Sequence, residues 1–323
     1  MRRVRYYEYG GPGVLRVEEV ETPVAGPGQV LIRTEAIGTN YVDTAFRWGT
    51  SPLGQPSLPG SPNGDVVGTV EAVGPGVGQG LVGRRVTALV ARDAYADYVL
   101  ADPAWLAPVP DGIDHGAASI LAMPGPVALR VLRAGGLAKD ETVLVHVAAG
   151  TIGHLATQLA KLEGAGTVIA TVGSPDKLEF VRQHGADACV CYTDADWPEQ
   201  VRALAPGGVD VIADSIGGEA TAANVELLAP LGRLVIYGAT SGALATAGLH
   251  GLYALRTVTG FRLMAWRAAE PELAKQDITE VTEHVAAGRL RVAVQGTVPL
   301  AEAAKAHEML EDRGRLGRVL LVP

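Results

Sequence analysis

The sequence predicts an α/β protein with a β-rich part at its N-terminus followed by a doubly wound parallel-sheet part. Two observations carry this. The first ninety or so residues alternate short β-branched runs with Gly and Pro clusters. From about residue 140, apolar strands alternate with helical stretches of about ten to fifteen residues, the pattern of βαβ units. At 323 residues, 48% hydrophobic and 19% charged, the chain is long enough to bury two cores.

In the first part VLRVEEV (14–20), QVLIRTEAIG (29–38), DVVGTVEAVG (65–74) and RRVTALV (84–90) read as strands folding back on one another, as in a distorted barrel or sandwich. TVLVHV (142–147) is an apolar strand, and the IGHLATQLAKLEGAG that soon follows has helical spacing and a glycine stop. The alternation continues through TVIATV (167–172), a helix around Lys177–His184, ACVCY (188–192), a helix over Trp197–Leu204 and VDVIADSIGG (209–218). A helix through Ala223–Leu228 leads into the strand RLVIYG (233–238). After Phe261 come a long helix over 270–287, the strand RVAVQGTV (291–298), a short helix over 300–311 and the strand GRVLLV (317–322).

Composition narrows the function classes. The net charge of −8, with both signs interspersed, argues against nucleic acid or an anionic membrane as partner. No stretch of about 18 apolar residues runs uninterrupted, so no membrane span is expected. The opening MRRVRYYEYGGPG has no apolar run behind its basic residues and is no secretory signal. Two cysteines, Cys189 and Cys191, cannot build a disulfide framework; their spacing in a β-like segment suggests buried thiols in a reduced, cytoplasmic protein.

The most informative segment is ETVLVHVAAGTIGHLATQLA, where a strand ending at Val147 turns directly into a helix. Ala148, Gly150 and Gly153 stand at the spacing of the G-x-G-x-x-G fingerprint, with Ala in the first place. Small residues there, with Ala149, Thr151 and Ile152, let backbone N–H groups and a helix N-terminus approach a pyrophosphate. The alternative is a purely structural turn between strand and helix. About 20 residues on, where an NAD site places an acid for the ribose 2′-OH, the chain reads TVIATVGSPDK. Gly173 and Ser174 offer N–H and hydroxyl donors to a 2′-phosphate, and Lys177 offers a full charge unless it is a solvated helix residue. Tyr192 can cover the adenine side, and Asp176 is expected to cap the following helix. NADP is therefore favoured over NAD.

The chain resembles the medium-chain dehydrogenase/reductase superfamily, in its zinc-free quinone oxidoreductase (zeta-crystallin-like) branch. The resemblance runs through YYEYGGPGVLRVEEV, IGTNYVDTAFRWG, GDVVGTVEAVGPGVGQGLVGRRV, VLVHVAAGTIGHLATQLAK, GVDVIADSIGG, GRLVIYG and GRLGRVLLV. It implies a GroES-like catalytic domain over 1–122, completed by 296–323, and a Rossmann domain over 123–295. It further implies NADPH in the cleft between them, with Gly217, Tyr237 and Gly238 among its contacts, and a homodimer joined near LRTVTGFRL (255–263). Zinc-dependent relatives carry a Cys near Gly38 and a His-Glu pair in the segment that here reads GSPNGD. Those ligands are missing, and the seven histidines form no metal-binding arrangement, so no metal is expected; His146 and His154 read as core or surface residues. Thr151, Val127 and Ala45 depart from the branch's usual Gly, Thr and Tyr.

Asn40, Tyr41 and Asp43 match the family's N-[FY]-x-D stretch, which the resemblance puts beside the nicotinamide. A phenol stays protonated at neutral pH, so Tyr41 can deliver the proton that follows hydride transfer, or else it only shapes the pocket. Asn40 can hydrogen-bond a substrate carbonyl, and Asp43, placed at the substrate pocket, is expected to anchor the loop more than to carry chemistry. Phe46, Trp48, Phe261 and Trp266 are candidates to stack on a flat substrate, or are core aromatics. The activity expected is NADPH-dependent reduction of a quinone, enone or other α,β-unsaturated carbonyl. The alternatives are an enoyl-thioester reductase, with Arg47, Arg262 and Arg267 near a pantetheine arm, and a redox-neutral enzyme or NADPH-binding protein that keeps the fold.

Overall fold

The runs of β-branched residues at the N-terminus become strands of a mainly antiparallel assembly. A computed structural model describes residues 1–52 and 54–323. Its first strands are β1 (Arg2–Arg5), β2 (Arg16–Glu19), β3 (Val30–Gly38), β4 (Gly64–Val73), β5 (Arg85–Val90), β6 (Tyr98–Ala101) and β7 (Ala107–Pro108). Between β3 and β4 lies the helix α1 (Val42–Trp48), and after β7 come α2 (His115–Ala118) and α3 (Pro124–Ala134). The sequence patterns did not single out β1 or α1. The first is four residues with three arginines, and the second is under two turns, too short to show a period.

From β8 (Thr142–Val145) the chain alternates as expected: α4 (Thr151–Leu162), β9 (Thr167–Val172), α5 (Leu178–Gln183), β10 (Ala188–Cys191), α6 (Trp197–Leu204), β11 (Val209–Asp214), α7 (Glu219–Leu227), β12 (Leu228–Ile236) and β13 (Thr257–Gly260). These six strands form one parallel sheet in the order β10-β9-β8-β11-β12-β13. Renumbered from one this is 3-2-1-4-5-6, the doubly wound dinucleotide-binding order. Its strands bury Leu144, Ile169, Val190, Ile212 and Leu234 against the helices. β8 stops at Val145, two residues short of the expected Val147, because Val147 takes φ 51° and leaves the extended region.

The helices α8 (Leu263–Ala269) and α9 (Pro271–Ala286) lead to β14 (Val294–Pro299), α10 (Ala303–Glu311) and β15 (Arg318–Val322). β15 joins the N-terminal strands beside β3, completing a seven-stranded sheet in the order β14-β15-β3-β4-β5-β7, with β6 also on β3. The chain thus divides into two units, Met1–Pro126 with Ile278–Pro323 and Val127–Asp277. The first is built from both chain ends and buries Val30, Ile32, Ile37 and Val66 together with Val319 and Leu321.

Candidate active site

In a doubly wound sheet the ligand crevice lies at the carboxyl ends of the strands where their order reverses, here β8 and β11. After β8 the turn is tight: the Gly150 amide bonds the Val147 carbonyl at 2.9 Å, and the Ala148 amide bonds the Thr171 carbonyl at 2.8 Å. Gly150 flanks α4 without a side-chain cap, and Thr151, Ile152 and Gly153 form the first turn of the helix, whose N–H groups face its N-terminal end. A side chain at Gly153 would run into the Val147 carbonyl and stand 2.7 Å from the Ala148 Cα, so glycine lets the turn lie against the helix. Ala148 and Ala149 are buried.

Across the reversal, β11 ends in Asp214, fully buried. Its Oδ1 accepts from the Ile216 and Gly217 amides (2.8 and 3.1 Å) and its Oδ2 from the Thr221 hydroxyl (2.8 Å). That carboxylate fixes a turn in which Gly217 and Gly218 take φ 71° and 57°. Sequence reasoning named Gly217 but missed Asp214. The signal was present in the D-S-I-G-G run, because Asp two residues before a turn amide is an Asx-turn signature. Tyr237 donates its amide to the Asp214 carbonyl at 2.9 Å, and its phenol, hydrogen-bonded to Ser215, is pushed up to about 12 by desolvation. A Cβ at Gly238 would stand 3.0 Å from the Ser215 carbonyl oxygen, so this strand end also packs closely on the turn.

At the end of β9 the structure brings Gly173 and Tyr192 together: a Cβ at Gly173 would lie 2.8 Å from the Tyr192 hydroxyl. Lys177 is buried at 9% exposure, which removes its reading as a solvated helix residue. Asp176 does not cap α5, since Lys177 holds that position. Its carboxylate accepts from the Ser174 hydroxyl and its own amide, which hold it below the usual carboxylate range. The Ser174 hydroxyl therefore has a partner within the chain. His146 is fully buried between the Thr171 hydroxyl (2.8 Å) and the Asn224 carbonyl oxygen (2.7 Å), and burial lowers its pKa. It is a core residue. His154 is equally buried, bonded to the Gly150 carbonyl at 2.8 Å.

The N-Y-x-D stretch lies in the other unit. Arg318, fully buried on β15, donates from Nε to the Ser119 hydroxyl (2.8 Å) and from Nη2 to Asp65 (2.6 Å) and the Ser119 carbonyl (3.1 Å). From Nη1 it donates to the Thr39 carbonyl and the Asn40 side-chain oxygen (3.4 and 3.3 Å). The Asn40 amide nitrogen in turn donates to Asn63 and Asp65, both at 3.3 Å. Asn40 is thus committed to this network, contrary to its expected place as donor to a substrate carbonyl. Tyr41 is 38% exposed at the start of α1, its ring 5.1 Å from the Arg315 guanidinium. Asp43 is buried and accepts from the Asn63 amide at 2.9 Å, and burial pushes its carboxyl well above the usual range. It ties α1 to the Asn63 backbone.

Of the four aromatics, Phe46 lines a pocket of about 220 Å³, with Pro56, Pro59, Asn63 and Arg92 among its walls. Trp48 instead donates its indole N–H to Glu311 at 2.7 Å, and Trp266 to Asp277 at 3.0 Å with the Arg130 guanidinium 4.4 Å above its ring. Each indole N–H is thus held by a carboxylate, while the Trp48 side chain stays 47% exposed. Phe261 is buried, its amide bonded to the Ile236 carbonyl at the end of β12 (2.9 Å). Arg47 and Arg267 are buried too, which withdraws them from a pantetheine surface and leaves Arg262 exposed. Cys191 is buried and Cys189 half-buried, both free thiols. A side chain at Gly38, where zinc-dependent relatives carry cysteine, would collide with the Arg318 guanidinium. No group of three or more His, Cys, Asp or Glu suited to a metal occurs among the described residues, and no described helix is long and apolar enough to cross a membrane.

Two family models match the chain: "Alcohol dehydrogenase GroES-like domain" over residues 26–111 and "Zinc-binding dehydrogenase" over residues 151–280. A quinone oxidoreductase of Pseudomonas aeruginosa is 34% identical over 100% of this chain and 99% of its own. A 2-haloacrylate reductase of a Burkholderia species is also 34% identical, over 98% and 97%. Among solved structures, the Escherichia coli quinone oxidoreductase complexed with NADPH superposes with a TM-score of 0.91 at 30% identity, covering 100% of both chains. A mycobacterial protein complexed with NADPH gives 0.92 at 35% identity, again over 100% of both.

One pH dependence follows from the support behind α1. His307 accepts from Arg47 Nε at Nδ1 (3.1 Å), so its Nε2 carries the proton toward the Tyr95 hydroxyl (3.2 Å). Burial, and then Arg47, lower its pKa to about 3. An unfolded histidine titrates near 6.5, so the contribution is complete above that pH and is lost as pH falls toward 3. Between pH 7.5 and 4.5 the wild type should lose up to about 2–3 kcal/mol through this group. Thermal melts of His307→Gln should show a correspondingly flatter pH slope; an unchanged slope would contradict this account.

Proposed function

We propose, on the premise that this chain belongs to the medium-chain dehydrogenase/reductase superfamily and its quinone oxidoreductase branch, that it is a zinc-independent, NADPH-dependent reductase of quinones, enones and other α,β-unsaturated carbonyls. The observation that carries this is the reversal point of the parallel sheet, where the Gly150 turn follows β8 into α4 and the Asp214-held Gly217 turn follows the neighbouring β11. The α4 amides from Thr151 to Gly153 and the helix dipole hold the pyrophosphate. Gly173, Ser174 through its backbone, Lys177 and Tyr192 receive the 2′-phosphate and adenine side, and Tyr237 and Gly238 close the strand end beside the Gly217 turn. NADPH supplies the hydride.

The unit built from Met1–Pro126 and Ile278–Pro323 is the catalytic domain and Val127–Asp277 the cofactor domain, so the C-terminal return begins earlier than the expected residue 296. In the catalytic domain Tyr41 donates a proton to the enolate oxygen or α-carbon that hydride delivery to the β-carbon leaves behind. Asn40 positions Tyr41 and does not touch substrate. The Arg318 guanidinium fills the room beside Gly38 that a metal ligand would need. Burial of Arg47 and Arg267 disfavours the thioester alternative. The free thiols suit a reducing cytoplasm. β13 is an edge strand through which two copies pair as a homodimer; light scattering at micromolar concentration should report twice the chain mass, and a monomer would refute this.

The deciding experiment is turnover of EDTA-treated protein with NADPH or NADH against 1,4-benzoquinone, 9,10-phenanthrenequinone, an enone and crotonyl-CoA. Oxidation of NADPH by a quinone or enone is expected, with NADH at least about tenfold poorer. Tight NADPH binding with no oxidation by any acceptor would overturn the assignment. Tyr41→Phe should slow the enone by about a hundredfold while leaving benzoquinone within a few-fold, since a quinone accepts hydride without acid help. Equal losses on both would reduce Tyr41 to pocket wall.

A further inference from the structure

We propose that Arg92, which lines the Phe46 pocket, makes this protein select conjugated carbonyl compounds that carry a carboxylate. The inference rests on the reductase assignment and names its substrate class. The pocket, about 220 Å³, has room for a ring with a short side chain. Phe46, Pro56 and Pro59 give it an apolar wall, and Ser57 and Arg92 its polar edge.

Arg92 arrives on a fixed backbone. The Asp93 amide donates to the Ser61 hydroxyl at 3.0 Å, and Asp93 itself turns the chain at φ 54°. The Asp93 carboxylate, the nearest anion in sequence, is held by both Nε and Nη2 of Arg5 at 2.8 and 2.7 Å. Among the described residues no hydrogen bond or ion pair takes up the Arg92 guanidinium, and the side chain is exposed. A planar cation with its fork of donors left open, at the edge of an apolar pocket, is built to receive a carboxylate in two parallel hydrogen bonds. On a chain of net charge −8 such a local cation is what admits an anion. The pocket also shares its frame with the catalytic segment: Phe46 stands on α1 after Tyr41, and Asn63 bonds both Asn40 and Asp43.

The test uses two matched acceptors, trans-3-benzoylacrylate and its primary amide, which keep the ring and enone and differ in charge. The acid-to-amide ratio of kcat/KM is compared between wild type and Arg92→Met, which cancels the intrinsic reactivities of the two compounds. The ratio should fall about fivefold in Arg92→Met, fall by less in Arg92→Lys, which keeps the charge and loses the fork, and shrink with added salt in wild type. Where the compounds are not turned over, the same ratio is taken from dissociation constants by calorimetry. An unchanged ratio in Arg92→Met overturns the proposal. Benzoquinone turnover, measured alongside, reports separately on the reductase assignment.

Discussion

Arg318 carries five N–H donors into a place that solvent does not reach, and each of them finds an acceptor. A buried guanidinium leaves little choice, because an unpaired charge in the interior costs several kcal/mol. The acceptors come from the Thr39–Asn40 segment, from Asp65 on β4 and from Ser119 beyond α2, so satisfying one side chain aligns three stretches of chain with β15. Such a pair contributes little net stability, since desolvation offsets much of the attraction. What it specifies is geometry, and the residues it holds directly precede Tyr41.

The same C-terminal stretch grips the far side of α1. Arg47, buried near the end of that helix, bonds His307 and Glu311 of α10 and the Gly10 carbonyl (2.5 Å); Trp48 bonds Glu311; Arg315 lies over the Tyr41 ring. A seven-residue helix could not hold its own orientation, as isolated short helices are not stable in water. It is positioned instead by a segment about 260 residues later in the chain. The cofactor unit works in the opposite way. Its turns are held by neighbours: Asp214 by amides two and three residues on, and Gly150 by Val147.

This contrast explains what could be read from sequence. The β8–turn–α4 segment and the alternation after it were legible because their causes are local: apolar period, glycine spacing and a helix start. The Gly173–Tyr192 proximity followed from the same topology. The Arg318–Asp65 pair was not legible, since its partners are 253 residues apart and neither belongs to a pattern. For the same reason Asn40 looked available to a substrate when its amide was already engaged, and Trp48 and Trp266 looked like pocket walls when carboxylates held their indoles. The early end of β8 is a different case, because a valine at positive φ runs against its propensity and shows only in the folded turn.

The buried Arg318–Asp65 pair holds the Thr39–Trp48 segment in place. Amide hydrogen exchange over residues 39–48 tests it most directly, in wild type, Arg318→Met and the double variant Arg318→Met/Asp65→Leu. Removing one partner should cost about 3–5 kcal/mol, while removing both should restore much of that stability. Exchange at 39–48 should nevertheless stay faster than wild type in the double variant, with β4 and β5 protected as before. Wild-type protection of 39–48 in the double variant would contradict the account.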